Sequence, residues 1–340
     1  MDVLSLCPGF SIVSKEAYPA LSQAERKEEI MDNHELVRKW RDSMNHFFVG
    51  KEEVVENLLI CLLAGGHVLL EDVPGVGKTT LALLLAKSAG CSFGRIQFTP
   101  DTLPGDVTGV SVYHMKTEEF QYQPGAVMNQ ILLADEINRT SPKTQSSLLE
   151  AMAEGQITVD GIIHELPKPF FVIATQNPIE FVGTYPLPEA QLDRFMMQLS
   201  IGYPDREQEI RMASQYLRGE TPEQVGAVCG AEDILHIQAE AAGVTVRDSI
   251  LGYMEDIVSL TRQENRFVVG VSPRAMLSLM RASQARAYMQ ERDYVKPDDV
   301  KAVAMQVLGH RVALSSEARI RKEDKIKILR SLVVQAKVPM

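Results

Sequence analysis

Cysteine is scarce in this 340-residue chain: Cys7, Cys61, Cys91 and Cys229 are scattered along it. None belongs to a C-x-x-C pair or has a histidine at ligand spacing. Neither a structural zinc site nor a disulfide framework is supported, and a reducing cytoplasm is the default expectation. No stretch approaches the ~20 uninterrupted apolar residues of a membrane-spanning helix. The opening Met1-Asp2-Val3 lacks the basic region of a secretory signal. Basic residues are outnumbered 35 to 45, which leaves a formal net charge of −10. That balance disfavours nucleic acid as a main partner, because neutralising phosphates needs a basic face. No internal repeat or low-complexity tract occurs. Hydrophobic residues make up 45% and charged residues 24%, an ordinary globular composition. The length exceeds the roughly 100–200 residues of one domain, so two are expected.

Three regions follow from the pattern. Residues 1–33 read as an N-terminal extension punctuated by Pro8, Gly9 and Pro19, with a charged stretch, Gln23–Asn33, as a helix or its lead-in. Residues 34–205 read as an α/β core. Leu36, Val37, Trp40 and Met44 recur at helical spacing, and Lys51–Ala64 is a second helix. The apolar run His67–Leu70 leads through glycines into a helix at Thr79–Ser88, the opening of an α/β unit. Arg95–Thr99, Gln130–Ala134 and Phe170–Thr175 are further buried-strand candidates, which predicts a largely parallel sheet with helices on both faces. Gly109–Tyr122 and Gln156–Leu166 break the alternation and read as inserted β-hairpins, the second around an Asp160-Gly161 turn. Residues 206–340 read as a helical bundle: Arg206–Arg218, Glu232–Ala242, Val246–Glu264, Pro273–Gln290, Pro297–Leu308 and Glu323–Ala336.

The decisive segment is Glu71-Asp72-Val73-Pro74-Gly75-Val76-Gly77-Lys78-Thr79-Thr80. It matches the phosphate-binding pattern G-x-x-x-x-G-K-[ST], except that Asp72 stands at the first glycine. Gly75 and Gly77 let backbone N–H groups curl around phosphate oxygens with no Cβ in the way. Lys78 is a point charge for the β- and γ-phosphates, and Thr79 offers a hydroxyl to Mg²⁺ at a helix N-terminus. Asp72 tolerates left-handed backbone better than most residues, but its carboxylate must point away from the phosphates. On this reading Asp72→Gly is neutral or mildly favourable for ATP affinity. Downstream, Ile131–Asp135 is an apolar strand ending in Asp135 and Glu136, the form that holds Mg²⁺ through the aspartate and activates water through the glutamate. An acid in the base position favours ATP hydrolysis over phosphoryl transfer to a metabolite. Asn177, after another buried strand, fits either an amide on the γ-phosphate or lytic water, or plain Asn-Pro turn chemistry. Arg194 ends a short helix, where an ion pair with Glu189 or Asp193 competes with a functional role. In Ser272-Pro273-Arg274 a cation sits in a helix's first turn, which the dipole disfavours unless it faces an anion such as a phosphate.

Together, Val68–Thr80, Phe98–Gly125, Leu133–Lys143, Gln156–Leu166, Ala174–Arg194 and Ser272–Ala275 carry a clear resemblance. The chain resembles MoxR-type AAA+ ATPases, the clade with an insert in the second core helix and a β-hairpin before sensor 1. The resemblance spans roughly Asn33 to the C-terminus and leaves residues 1–32 outside. It implies a P-loop AAA+ core and a helical lid, with ATP and Mg²⁺ as ligands. Position by position it implies Lys78 and Thr79 as Walker A, Asp135 and Glu136 as Walker B, Asn177 as sensor 1, Arg194 as arginine finger and Arg274 as sensor 2. It also implies that Val49-Gly50 lies against adenine, and more weakly that Arg139 faces a neighbouring site. Such proteins form homo-oligomeric, hexameric rings, act as chaperone-like remodelling factors on protein clients, and often work with a von Willebrand factor A domain partner. Two other classes compete: a nucleic-acid motor or loader, and a P-loop metabolite kinase.

Overall fold

The computed structural model describes residues 32–178 and 183–339. The expected helix at Gln23–Asn33 lies almost wholly outside the described residues. Asn33–Met340 packs as one compact unit.

Its chain begins with α1 (Asn33–Phe47) and α2 (Glu52–Leu63), then β1 (Val68–Glu71), α3 (Lys78–Ser88), β2 (Phe93–Gln97) and α4 (Pro104–Thr108). The first hairpin is β3 (Gly109–His114) and β4 (Glu119–Pro124), followed by β5 (Ile131–Asp135) and α5 (Pro142–Glu154). The second is β6 (Gln156–Val159) and β7 (Ile162–Glu165); β8 (Phe171–Gln176), α6 (Glu189–Leu192) and β9 (Met197–Leu199) complete the α/β part. Then come α7 (Arg206–Leu217), α8 (Ala231–Ala242), α9 (Asp248–Gln263), β10 (Phe267–Val269), α10 (Pro273–Met289), α11 (Pro297–Leu308), β11 (Ala313–Leu314), α12 (Ser316–Ile320) and α13 (Lys325–Gln335).

The central sheet is five-stranded and parallel, in the order β2-β5-β8-β1-β9. Helices on both faces leave β5 wholly buried and β8 buried up to its last residue, as near-continuous Ile/Leu/Val/Ala runs demand. α1 buries the four residues that its spacing selects, and Trp40 anchors it by donating an indole hydrogen bond to Ser88 Oγ at 2.7 Å. Both hairpins form. Asp160 (φ 51°) and Gly161 (φ 79°) both adopt positive φ, the geometry of a tight turn whose twist matches its strands. From Arg206 onward the chain is mainly helical, and α8 and α10 pack on α2 while α11 packs on β9.

Five elements depart from the sequence reading. The second strand is Phe93–Gln97, two residues earlier than expected, because Phe93 and Gly94 already pair with Ile131 and Leu132 and the ladder with β5 ends at Gln97. β9 went unforeseen: three residues are too few to carry a period. The short β10–β11 pair and α12 also interrupt the expected all-helical run.

Two buried histidines tie the sheet to its surroundings. His67 Nδ1 accepts from the Val172 N–H at 3.1 Å, so Nε2 donates to the Met152 carbonyl at 3.2 Å. His310 Nε2 donates to the Phe195 carbonyl at 3.0 Å. Burial pushes His67 down to about 4, and burial, with Arg311 beside it, pushes His310 down to about 3. The unfolded chain takes up protons near the ordinary histidine value of 6.5 that the native chain refuses. Stability is therefore full above that value and falls with acid, by about 1.4 kcal/mol per pH unit for each histidine. Urea unfolding at pH 7 and pH 5 should show a lower midpoint at pH 5, and a His67→Gln chain should show a shallower pH dependence. Equal midpoints would contradict the assignment of buried neutral rings.

Candidate active site

β1 delivers the glycine loop to the carboxyl edge of the sheet. Gly75 (φ 85°) and Gly77 (φ 94°) hold left-handed backbone, and Gly77 caps α3. A Cβ at Gly77 would lie 3.3 Å from the Phe48 ring, so both conformation and space call for glycine there. Lys78 Nζ donates to the Asp72 carbonyl at 2.7 Å. Burial holds Lys78 below the usual lysine value, while Asp135, Asp72 and Glu136 pull the other way. A cleft of about 350 Å³ is lined by Pro74, Gly75, Gly77, Lys78, Thr79, Thr80, Asp135, Glu136 and Asn177. The three separate motifs meet in that one space. Asn177 itself is buried.

The two acids are held by side chains that sequence reasoning missed. Asp135 Oδ1 accepts from Thr175 Oγ1 at 2.7 Å, and its Oδ2 accepts from Arg95 at 2.8 Å. Thr175 Oγ1 also accepts the Glu136 N–H at 2.9 Å. Glu136 Oε2 accepts from Gln97 at 2.8 Å and from Arg139 at 3.1 Å. Glu136 itself sits in left-handed backbone (φ 56°, ψ 50°), uncommon for a residue with a Cβ and held here by its neighbours. A signal was available: Arg95 and Gln97, two apart on one strand, share a face, and the parallel register sets Gln97 beside Asp135. Arg139, which the resemblance turned weakly toward a neighbour's site, reaches Glu136 of its own chain.

A second cavity of about 560 Å³ adjoins the loop. Phe47, Phe48, Val49 and Lys51 supply one wall, and Ile201, Pro204, Met212 and Tyr216 another. Val49 thus lies where the resemblance puts an adenine-facing residue. Gly50 does not line this cavity among the described residues; it borders an adjoining hollow, and its carbonyl accepts from Gln208 Nε2 at 3.1 Å. Asp72 departs from the reading in its backbone and meets it in its side chain. It is not among the described non-glycine residues with positive φ, so no left-handed tolerance is called on. Its carboxylate does point away from the loop's interior, but into specific bonds with Ser200, Ile201 and Gly202.

Arg194 and Arg274 lie elsewhere. Met196 N–H donates to the His67 carbonyl at 2.8 Å, and β9 runs parallel to β1 from there. Arg194 therefore sits at the amino edge of the sheet, a strand's length, roughly 13 Å, from where the loop begins. It donates to the Leu149 carbonyl at 2.9 Å rather than pairing with Glu189 or Asp193. Asp193 instead takes Arg311 at 2.6 Å and Ser272 Oγ at 3.1 Å. Ser272 caps α10 as expected, accepting from the Ala275 N–H, which brings Arg274 to the same edge as Arg194. Neither arginine lines the cleft of its own chain.

Comparison with known proteins accords with this geometry. The family model for the ATPase family associated with various cellular activities (AAA) matches residues 67–197, and that for the AAA lid domain matches residues 259–332. An uncharacterized protein of Bacillus subtilis (strain 168), YeaC, is 51% identical, over 91% of this chain and 97% of its own length. The chaperone MoxR1 of Mycobacterium tuberculosis (strain H37Rv) is 42% identical, over 81% of this chain and 75% of its own. The crystal structure of a putative ATPase from Cytophaga hutchinsonii superposes with a TM-score of 0.85 at 37% identity, covering 91% of this chain and 96% of that one. The chain is a MoxR-type AAA+ ATPase.

In this MoxR-type ATPase, Thr175 is the junction between the two acids, since its hydroxyl serves both Asp135 and the Glu136 backbone. It is fully buried. Thr175→Val keeps the shape and removes both bonds, leaving a buried N–H and a carboxylate oxygen short of a partner. The variant should lose about 1–3 kcal/mol of stability and turn over ATP more slowly. Urea unfolding and phosphate release measured together check this; a variant as stable and as active as the parent would contradict it.

Proposed function

We propose that the glycine loop, Asp135, Glu136 and Asn177 are the ATP-hydrolysing centre. The observation that carries this reading is their convergence on the one 350 Å³ cleft. Pro74–Thr80 wraps the phosphates with backbone N–H groups, Lys78 moves from the Asp72 carbonyl onto the β/γ-phosphates, and Val49 and its neighbours hold the base. Glu136 takes the proton of the attacking water, and Asn177 orients that water or the γ-phosphate. Thr79 and Asp135 offer a hydroxyl and a carboxylate to the same cleft, the hard oxygen donors that suit Mg²⁺. Bound there, Mg²⁺ supplies positive charge against the phosphate oxygens.

The function built on hydrolysis is a chaperone-like remodelling or maturation of a protein partner by a homo-oligomeric, hexameric ring in the cytoplasm, with a von Willebrand factor A domain protein as candidate partner. Arg194 and Arg274 act on the neighbouring subunit's phosphates; their position at the sheet edge opposite the chain's own loop supports this. The exposed apolar tips of both hairpins, Met115, Phe120, Ile162 and Ile163, suit contact with protein rather than with phosphodiester. Residues 34–205 are taken as the core, residues 206–340 as the lid and residues 1–33 as the extension.

Lys78→Ala should abolish ATP binding in a calorimetric titration; retained micromolar affinity would refute the loop assignment. Glu136→Gln should bind ATP normally and hydrolyse it about 10²–10⁴-fold more slowly. Turnover within about twofold of the parent would remove Glu136 from the base role. The same slow variant, locked on ATP, should retain its protein client in a pull-down.

A further inference from the structure

We propose that Asp72 is a positioning residue which fastens the phosphate loop to the wall of the base cavity, so that the two halves of the nucleotide site move as one piece. The inference rests on the reading of loop and cavity as that site.

Asp72 occupies a position where the phosphate-binding pattern has glycine, and it is 7% exposed. A buried carboxylate costs heavily unless its oxygens are supplied with donors. The donors here all come from one short segment, the strap between β9 and α7. The Ile201 N–H donates to Oδ2 in a short bond, and the Gly202 N–H and Ser200 Oγ each donate to Oδ1 at 3.2 Å. These bonds are charge-assisted and two of them come from the backbone, so they fix the path of the strap itself.

The location gives the contact its consequence. Ladder pairing between β1 and β9 ends at Leu70↔Leu199, and past that point the two chains are free to part. Asp72 carries the attachment two residues further with its side chain. The strap it grips supplies Ile201 and Pro204 to the base cavity and leads into α7, which adds Met212 and Tyr216. Lys51 Nζ holds the strap from its other side, donating to the Tyr203 carbonyl at 3.0 Å. Asp72 meets the loop as well, because its carbonyl accepts from Lys78 at 2.7 Å. One residue therefore touches the phosphate lysine through its backbone and the base wall through its side chain.

Without the carboxylate the strap and α7 loosen while the loop glycines and Lys78 keep their own geometry. Recognition of the base suffers, and recognition of the phosphates does not. Asp72→Gly, neutral or favourable on the sequence reading, should instead weaken ATP binding.

The test is calorimetric titration of Asp72→Asn with ATP and, separately, with inorganic tripolyphosphate, which has the phosphates and no base. Asparagine matches the shape and turns an amide toward the strap's donors. ATP affinity should fall roughly tenfold or more, the loss of one charge-assisted bond, with tripolyphosphate affinity held within about twofold. An equal fall for both ligands would reduce Asp72 to a structural part of the loop and overturn the proposal, as would no change for either. Ser200→Ala, which removes one donor, should show a smaller loss with the same preference, and it carries the test if Asp72→Asn lacks the parent's circular dichroism. Lys78→Ala, titrated alongside, separates the two levels. If it keeps parental affinity for both ligands, the nucleotide-site reading fails; if it loses both while Asp72→Asn leaves the ratio of affinities unchanged, only the present inference fails.

Discussion

The in-register parallel pairing of β1, β8 and β5 is the constraint on which the rest of the structure depends. Val68, Ile173 and Leu133 share one row, and Leu69, Ala174 and Ala134 the next. All are buried, with helices against both faces, so it is the packing of these rows on either side of the sheet that holds the register. Parallel strands end at a common edge, so a fixed register makes three chain segments finish level. Glu71 opens the glycine loop, Asp135 and Glu136 finish β5, and Asn177 follows β8. The chemistry of the cleft is a consequence of where three hydrophobic strands stop. Thr175 turns that alignment into a bond network, since only a residue level with Asp135 can serve its carboxylate and the next backbone N–H together.

The same parallel arrangement puts the two arginines out of reach. β9 pairs with β1 in the same direction, so whatever precedes β9 lies at the opposite edge from whatever follows β1. Asp193 gathers that edge, with Arg311 from the end of α11 and Ser272 from the cap of α10 converging on its carboxylate. Arg311 is itself buried and donates to the Phe195 and Met196 carbonyls as well. Arg194 and Arg274 thereby flank one bonded junction between the α/β part and the helical part. A subunit built this way has a phosphate cleft at one edge and a pair of arginines at the other, the asymmetry a head-to-tail ring needs.

Features set by local chemistry were legible in the sequence. The glycine loop, the acids after an apolar strand, the Asp-Gly hairpin and the Ser-Pro start of α10 each depend on neighbours a few residues away. Features set by register across the sheet were not. Arg95 and Gln97 become partners of Asp135 and Glu136 only once β2 is known to pair with β5, in the register that sets Gln97 beside Asp135. Asp72 reads in sequence as a tolerated fault in a glycine pattern, because its partners lie about 130 positions downstream. The resemblance set Val49 and Gly50 together against the base, yet the Gly50 carbonyl is taken by Gln208 and of the two it is Val49 that lines the cavity. β9 was too short to announce itself, and with it the placement of Arg194 could not be read.

The central claim is that a complete catalytic centre takes its loop from one subunit and its arginine from the next. The most direct measurement is ATP turnover in a mixture of Arg194→Ala and Lys78→Ala chains, each of which should be inactive alone. An arginine finger contributes about 10³–10⁵ in rate, so the restored signal would stand far above background. In mixed assemblies the Lys78→Ala subunit lends its Arg194 to the intact loop of its neighbour, and turnover should reappear at concentrations where subunits assemble and exchange. A mixture that stays inactive while native mass spectrometry shows both chains in one assembly would contradict the shared centre.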